Sequence, residues 1–386
     1  MRILGKGKTA KAIQSRYLDA VMYDDSEINK YDVNSDELTV VSPGIPPHNT
    51  LVHNTKNLIS EYDLFAKEMP YTIWISGTNG KTTTTQMLQH LLEEKNSQCG
   101  GNIGLPLAKM DMTKNIWILE TSSFTLHYTN SAKPNLYILL PISDDHLSWH
   151  GTFEKYRDSK LKPLSLMDKD DIAIVPIEYK YYKTDAKIIY YSNTTDLEKE
   201  FGIDSKKIYF KEPFLLDAVV AMAAANIVTN KLNYPQINTF IQDSHKLEEF
   251  QDAKNRLWID DSKATNIDAT IQALKTYADK TIYLILGGDD KGANLLPLFE
   301  ELQKYDVTLY LIGKNSALLK ELSLKYSINA FKLDILEKAI EKINDAYKAS
   351  KHSVCLLSPA AASLDQYSSY KQRGEKFKEL INSFES

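Results

Sequence analysis

An apolar run, Tyr71-Thr-Ile-Trp-Ile-Ser76, passes without a spacer into Gly77-Thr-Asn-Gly-Lys-Thr82 and then into Thr83-Thr-Thr-Gln86. A strand that stops at a glycine-rich turn and restarts as a helix brings several backbone N–H groups to one point. The positive end of the helix faces the same point, so the turn is built to hold phosphate. Gly77, Thr78, Asn79, Gly80, Lys81, Thr82 and Thr83 are therefore the expected contacts to a nucleotide triphosphate. Lys81 supplies a mobile cation and Thr82 a hydroxyl suited to magnesium. The spacing departs from the common G-x-x-x-x-G-K-[ST] loop, because Ile75 stands where its first glycine belongs and Gly77 falls inside the turn.

Composition narrows the class. A chain of 386 residues exceeds what one core usually supports, and three domains are expected. A net charge of −5, with 25% charged residues, lacks the basic excess of a nucleic-acid binder, so no nucleic-acid partner is expected. Cys99 and Cys355 are far apart and outside any C-x-x-C spacing, which argues against a zinc site or a disulfide framework and suits a reducing compartment. Leu215 to Val228 is the longest apolar stretch. It contains Asp217 and Asn226 and falls short of the ~20 residues a membrane span needs, so it reads as a buried, alanine-rich helix. No signal-peptide pattern opens the chain, and a cytoplasmic protein without membrane association is expected.

Apolar runs at Thr39–Val41, Thr72–Ile75, Ile116–Leu119, Leu136–Leu140, Ile172–Val175, Thr281–Leu286, Thr308–Ile312 and Val354–Leu357 alternate with helical patterns. That alternation predicts α/β domains with mainly parallel sheets. Polar or glycine-rich clusters follow most of the runs, where open α/β sheets bind their ligands. Loop-forming residues at Met69-Pro70 and Asn230–Pro235 suggest domains spanning 1–69, 70–243 and 244–386. Charge runs at Lys246–Glu249 and Lys338–Lys342 read as solvated faces.

Glu120 ends one strand in Glu120-Thr-Ser-Ser-Phe, His146 lies in Asp144-Asp-His, and Lys160 closes Tyr156-Arg-Asp-Ser-Lys160. Together with the loop these strings resemble the Mur ligase superfamily of ATP-dependent amide-forming enzymes, and the resemblance covers essentially the whole chain. It implies that the nucleotide on the loop is ATP, with a Rossmann-like first domain, a central ATPase domain and a Rossmann-like third domain. It also implies a magnesium centre built from Thr82, Glu120, His146 and Lys160, with Lys160 carbamylated by carbon dioxide, and catalytic roles for Lys81, Glu120, His146 and Lys160.

Three strings in the last third sharpen the resemblance: Asp260-Asp-Ser-Lys-Ala-Thr-Asn266, Gly287-Gly-Asp-Asp-Lys291, and Leu357-Ser-Pro-Ala-Ala-Ala-Ser-Leu-Asp-Gln-Tyr367, with Lys371-Gln-Arg-Gly-Glu-Lys-Phe377 close behind. They are similar to the branch that adds D-glutamate to UDP-N-acetylmuramoyl-L-alanine through an acyl phosphate. By that resemblance Thr265, Lys291, Ser358 and Tyr367 surround D-glutamate, while Lys246, Asp261 and Lys263 face ATP. In the first domain Lys8 and Thr9 are implied near the diphosphate, Asp24 and Asp25 near uracil, with Ser42 and Gly44 beside it and Asn102 reaching in from the central domain. A monomer is expected.

Some positions depart from the family pattern. Phe214-Leu-Leu-Asp-Ala replaces the usual H-N-x-x-N, with Asp217 as the residue that could compensate. His245-Lys246 replaces H-R, exchanging a forked guanidinium for a point charge. Tyr367 stands where phenylalanine is common.

Overall fold

The computed structural model describes residues 1–53, 55–347, 350 and 352–383. It divides into two compact units, Met1–Phe240 and Ile241–Ser386.

The first unit holds two sheets. Strands β1 (Arg2–Leu4), β2 (Val21–Tyr23), β3 (Thr39–Val41) and β4 (Leu58–Ile59) form a parallel sheet in the order β2-β1-β3-β4. Strands β5 (Tyr71–Ser76), β6 (Ser97–Gly101), β7 (Ile116–Glu120), β8 (Leu136–Leu139), β9 (Ile172–Pro176) and β10 (Lys187–Tyr191) form a second parallel sheet in the order β10-β9-β8-β5-β7-β6. Strand β5 lies inside it and is apolar on both faces, as a strand covered on two sides must be.

Successive residues of β5 point to opposite faces. Ile73 and Ile75 meet the helices Lys81–Leu91 and Phe214–Thr229 through Met87, Leu88 and Ala218–Ala225. Trp74 faces the other way, into a cluster with Tyr62, Phe65, Trp117 and Tyr137. That second cluster also contains Ile3, Ala10, Ile13 and Val40, so one continuous apolar core joins the two sheets. The apolar Leu215–Val228 stretch is the expected buried helix, and no helix among the described residues is long and apolar enough to cross a membrane.

The second unit is built on β11 (Glu248–Gln251), β12 (Leu257–Asp260), β13 (Thr281–Leu286), β14 (Val307–Ile312), β15 (Asn329–Asp334) and β16 (Ser353–Leu357), in the order β11-β12-β16-β13-β14-β15. Among the strand pairs of the described residues, β11–β12 at the edge is antiparallel and the others are parallel. The division at Phe240/Ile241 leaves the Tyr234–Asn238 helix in the first unit, where His90 Nε2 lies 2.9 Å from the Gln236 carbonyl. The charge run at 246–249 is not simply a solvated face: Lys246 is buried and Glu248–Gln251 is a strand. Lys338 to Lys342 is a different case, with Lys338, Glu341 and Lys342 exposed on one helix.

The turn between β11 and β12 is held by a buried ion pair. Arg256 Nε donates to Asp252 Oδ2 at 2.6 Å, and the same oxygen accepts from Trp258 Nε1 at 2.9 Å. The guanidinium lies against the rings of Trp258 and Tyr347, and its Nη2 donates to Asn344 Oδ1 at 2.8 Å. Removing one member of a buried pair strands the other charge, which costs about 3–5 kcal/mol. Asp252→Ala is therefore expected to lower the stability of the second unit by that amount in urea denaturation. An unchanged midpoint would show that the turn does not depend on the pair.

Candidate active site

Strand β5 delivers the phosphate loop. Gly77 has φ +142°, and a Cβ there would lie 2.5 Å from Leu140 Cβ; Gly80 has φ +80°, and a Cβ there would lie 2.3 Å from Asp217 Oδ1. Both positions are closed to side chains by space as well as by backbone conformation. Between them, Thr78 anchors the turn: its hydroxyl donates to Ser143 O at 3.0 Å, accepts from Ser143 N–H at 2.9 Å, and lies 2.9 Å from Tyr156 Oη. Lys81 folds back over the turn, donating to Gly77 O at 3.0 Å and Thr78 O at 2.7 Å. Thr82 follows in the first turn of the helix, with Asn79 half-buried in the loop and Thr83 buried behind it.

The end of β7 meets that helix. Glu120 is almost fully buried, and its two oxygens have separate partners: Oε2 accepts from Thr82 Oγ1 at 2.8 Å and Oε1 from Asn102 Nδ2 at 2.6 Å. Asn102, expected to touch the sugar nucleotide, thus also sits on the carboxylate expected to touch metal. Lys160, on the helix Phe153–Leu166, is 1% exposed. Its Nζ donates to Gly77 O at 2.6 Å and stands 4.7 Å above the Tyr156 ring. Burial, with repulsion from Lys81 added, holds its amine well below the usual lysine range, against the opposing pull of Asp145 and Glu120.

His146 takes a left-handed conformation (φ 54°) at the start of the short helix Leu147–His150. Its Nε2 lies 3.5 Å from Asp145 Oδ2 and its ring packs edge-on against Phe124, 4.7 Å between centroids. The Tyr156 ring, on the same helix as Lys160, lies 6.3 Å from the His146 ring. Tyr156 thereby connects Thr78, Lys160 and His146, a role signalled in the sequence only by its place in the Tyr-x-x-x-Lys string.

Two further residues carry little sequence signal. Asp217 is buried and accepts from Thr84 Oγ1 at 3.1 Å, so the residue that could compensate for the missing family pattern packs beside Gly80 and the helix that follows the phosphate loop. His150 is buried with Nε2 3.0 Å from Ser123 Oγ, and burial, helped by His127, His146 and Lys160, pushes its basicity down to about 3.

In the first sheet, Lys8 reaches the carbonyl of Gly104, close in sequence to Asn102, and Thr9 is half-buried in the helix that Lys8 begins. Asp24 caps the following turn through Ser26 N–H at 3.1 Å and pairs with Lys6 at 3.2 Å, while Asp25 accepts from Asn49 Nδ2 at 2.9 Å. The Ser42 hydroxyl is buried without a hydrogen-bond partner among the described residues, and Gly44 is exposed nearby.

The second unit brings its residues together around β12 and β16. Asp261 is buried; its Oδ2 accepts from Ser358 Oγ at 2.7 Å and its Oδ1 from Leu247 N–H at 3.2 Å. Burial pushes this carboxyl up to about 8 despite the Ser358 bond. Residues expected on the ATP side and the D-glutamate side are thus directly joined. Lys263 N–H donates to His245 O at 3.1 Å, and Lys246 Nζ lies 3.7 Å from Asp243.

Lys291 is exposed in a left-handed turn (φ 54°). That turn is zipped to the segment after Ser358 by paired backbone bonds between Asp289 and Ala362, each 2.9 Å. Thr265 is half-buried just before Asn266, which caps the helix Ile267–Thr276. Tyr367 packs its ring on the core formed by Ile312, Leu336 and Phe377, and burial raises its phenol to about 12.

Residues 75–233 match the Mur ligase middle domain. The chain is 46% identical over 398 residues to a UDP-N-acetylmuramoylalanine–D-glutamate ligase of Campylobacter jejuni, covering 98% of each chain. It is 42% identical over 417 residues to the ligase of the same name from Helicobacter pylori, again covering 98% of each. Among solved structures it resembles the MurF ligase of Thermotoga maritima in complex with ADP, with a TM-score of 0.60 at 14% identity over 98% of this chain and 93% of that one. A likeness at that identity shows the fold alone, and the much higher identity to the two ligases establishes the branch. The chain belongs to the Mur ligases, in the family of UDP-N-acetylmuramoylalanine–D-glutamate ligases.

Proposed function

We infer that the chain joins D-glutamate to UDP-N-acetylmuramoyl-L-alanine at the expense of ATP, a step of peptidoglycan precursor synthesis in the cytoplasm. The observation that carries this reading is the buried Glu120 carboxylate bonded to Thr82 Oγ1 beside a phosphate loop. We further propose three domains, 1–69 for the sugar nucleotide, 70–243 for ATP and 244–386 for D-glutamate, acting in one monomeric chain.

The reaction is two transfers. The terminal phosphoryl group of ATP passes to the alanyl carboxylate, giving an acyl phosphate and ADP. The amine of D-glutamate then attacks the acyl carbon, phosphate leaves and the amine gives up a proton. Loop N–H groups from Gly77 to Thr83 and the Lys81 ammonium hold the phosphates and meet the charge that spreads over the transferred group. To reach it, Lys81 exchanges its bonds to the Gly77 and Thr78 carbonyls for phosphate oxygens.

The donor set suits magnesium: Glu120 and Thr82 offer hard oxygens, and among the described residues the buried carboxylate is bonded to neutral donors, Thr82 and Asn102. Glu120, Thr82, His146 and a carbamylated Lys160 would hold it. When bound, the ion neutralises charge on the phosphate oxygens. The uncharged amine is the form that adds to carbon dioxide, releasing one proton and leaving an anionic oxygen ligand, and burial shifts Lys160 toward that form. His146 also positions the incoming amine.

On the acceptor side, Lys291 faces a carboxylate of D-glutamate, Ser358 and Thr265 donate hydrogen bonds and Tyr367 closes the site. Lys246, Asp261 and Lys263 serve the nucleotide. Lys8, Thr9, Asp24, Asp25, Ser42, Gly44 and Asn102 serve the sugar nucleotide, with the unpartnered Ser42 hydroxyl the group there most in need of a ligand.

Phosphate release from ATP with UDP-N-acetylmuramoyl-L-alanine is expected with D-glutamate and not with L-glutamate, meso-diaminopimelate or no amino acid. Turnover with another acceptor would assign the chain to a sister ligase, and no turnover at all would leave a nucleotide-binding scaffold. Lys160→Ala is expected to lose most activity and to regain part of it with small carboxylic acids. Full activity of that variant, indifferent to added acid, would rule out the carbamate.

A further inference from the structure

Arg373 has no part in the reaction described above, yet it is among the most buried polar residues of the chain, at 1% exposure. It lies in the first turn of the helix Tyr370–Asn382. Its guanidinium makes four hydrogen bonds, all to two segments. Nε donates to Ser262 Oγ at 3.0 Å and Nη2 to Ser262 O at 2.8 Å; Nη1 and Nη2 donate to Ala361 O at 3.2 and 3.1 Å. Ser262 lies between Asp261 and Lys263, and Ala361 lies three residues after Ser358.

Every acceptor is neutral, and among the described residues no carboxylate lies within ion-pair distance of this guanidinium. Burying a charge is expensive even with Asp365, Asp260 and Asp261 near enough to favour it, and an apolar side chain of similar length would fill the same space at lower cost. What such a side chain lacks is a flat fork that fixes the separation and angle of two carbonyls at once. The helix is seated for this purpose: Ser262 Oγ donates to Tyr370 O at 2.8 Å, and a Cβ on the adjacent Gly374 would lie 2.2 Å from His245 Nδ1.

We propose that Arg373 is a positioning residue that sets the nucleotide-facing Asp261–Lys263 segment and the acceptor-facing Ser358–Ala361 segment in one fixed relation, so that both ligands depend on it although it touches neither. This rests on the functional reading above. It makes one observation intelligible: the Asp261–Ser358 bond needs the two segments in register, and the Arg373 fork spans the same pair of segments.

The test is steady-state kinetics of the full chain and of R373M and R373K, each checked for folding by circular dichroism and thermal melting. Both variants are expected to raise the KM for D-glutamate and the KM for ATP together, by about tenfold each, because both segments lose the same support. R373K should not rescue, since a single ammonium cannot address two carbonyls and a hydroxyl in a plane. A folded R373M with unchanged KM values, a rise confined to one substrate, or full rescue by R373K would each overturn the proposal. Should R373M fail to fold, S262A removes only the hydroxyl under Nε. A rise of about threefold in both KM values is then expected, and no change overturns the proposal. If wild-type enzyme does not turn over D-glutamate, the reading of the reaction fails. If wild type works and R373M is indifferent, only the strut fails.

Discussion

The first unit depends on a carboxylate that the fold has taken out of water. Glu120 sits at the carboxyl end of β7, and burial would make its charge costly without partners for both oxygens. Thr82 supplies one and Asn102 the other, and each lies on a different piece of chain: the phosphate-loop helix and the turn after β6. Satisfying one buried group thus sets three elements. The Lys160 bond to Gly77 O adds a fourth, the helix that crosses behind the loop. The resulting geometry is fixed by hydrogen bonds inside the protein, which is the condition for electrostatic stabilisation without reorganisation during the reaction.

The second unit solves a similar problem differently. Asp261 is a buried acid held partly by a neighbouring hydroxyl, and Asp260 beside it bonds His245 Nδ1 at 2.6 Å. Two adjacent carboxyls at the end of β12 would repel each other if both were charged. Burial leaves Asp261 able to keep its proton near neutrality, while Asp260 has His245 and, at 3.7 Å, Lys378. The strained backbone at His245 and Leu247, with φ +67° and +46°, is held by Asp261 through the Leu247 N–H and by Lys263 through the His245 carbonyl. The segment carrying Lys246 is consequently shaped by the D-D-S-K string rather than by its own residues.

Much of this was legible in the residues, for reasons that differ by element. Strands such as Thr72–Ile75 and Thr281–Leu286 are apolar on both faces because helices cover both sides, and an unbroken apolar run is a strong signal. Strands β2, β4, β6, β10, β11, β12 and β15 were not anticipated. Those with weak patterns are short or at edges: β11 is Glu248-Glu-Phe-Gln, whose charges belong to an edge strand facing water and to the ion pair with Lys378. The phosphate loop and the metal-site carboxylate were visible because local strings encode them. The packing roles of Tyr156, His150 and Arg373 were not, because their partners, Thr78, Ser123 and Ser262 with Ala361, are between 12 and 111 residues away. Charge runs misled at Lys246 for the same reason: burial is decided by what packs over a residue, which a short window does not contain.

Fold and acceptor choice are separable in this protein. The fold is shared with a MurF ligase at 14% identity, and a fold held in common at that identity does not by itself fix function. Selection has to lie in side chains that the scaffold presents but does not require. Of the residues proposed for D-glutamate, Lys291 and Thr265 meet that description, Lys291 exposed on a turn and Thr265 just before a cap, whereas Ser358 is buried on Asp261 and serves the scaffold as well. What the scaffold supplies is their spacing, through the Asp289–Ala362 backbone bridge and the buried Asp261–Ser358 bond. On the proposed assignment, an acceptor change would alter Lys291 and Thr265 while retaining the sheet, and the constraint at Ser358 is that Asp261 must still find a hydroxyl or lose the partner that makes its burial tolerable.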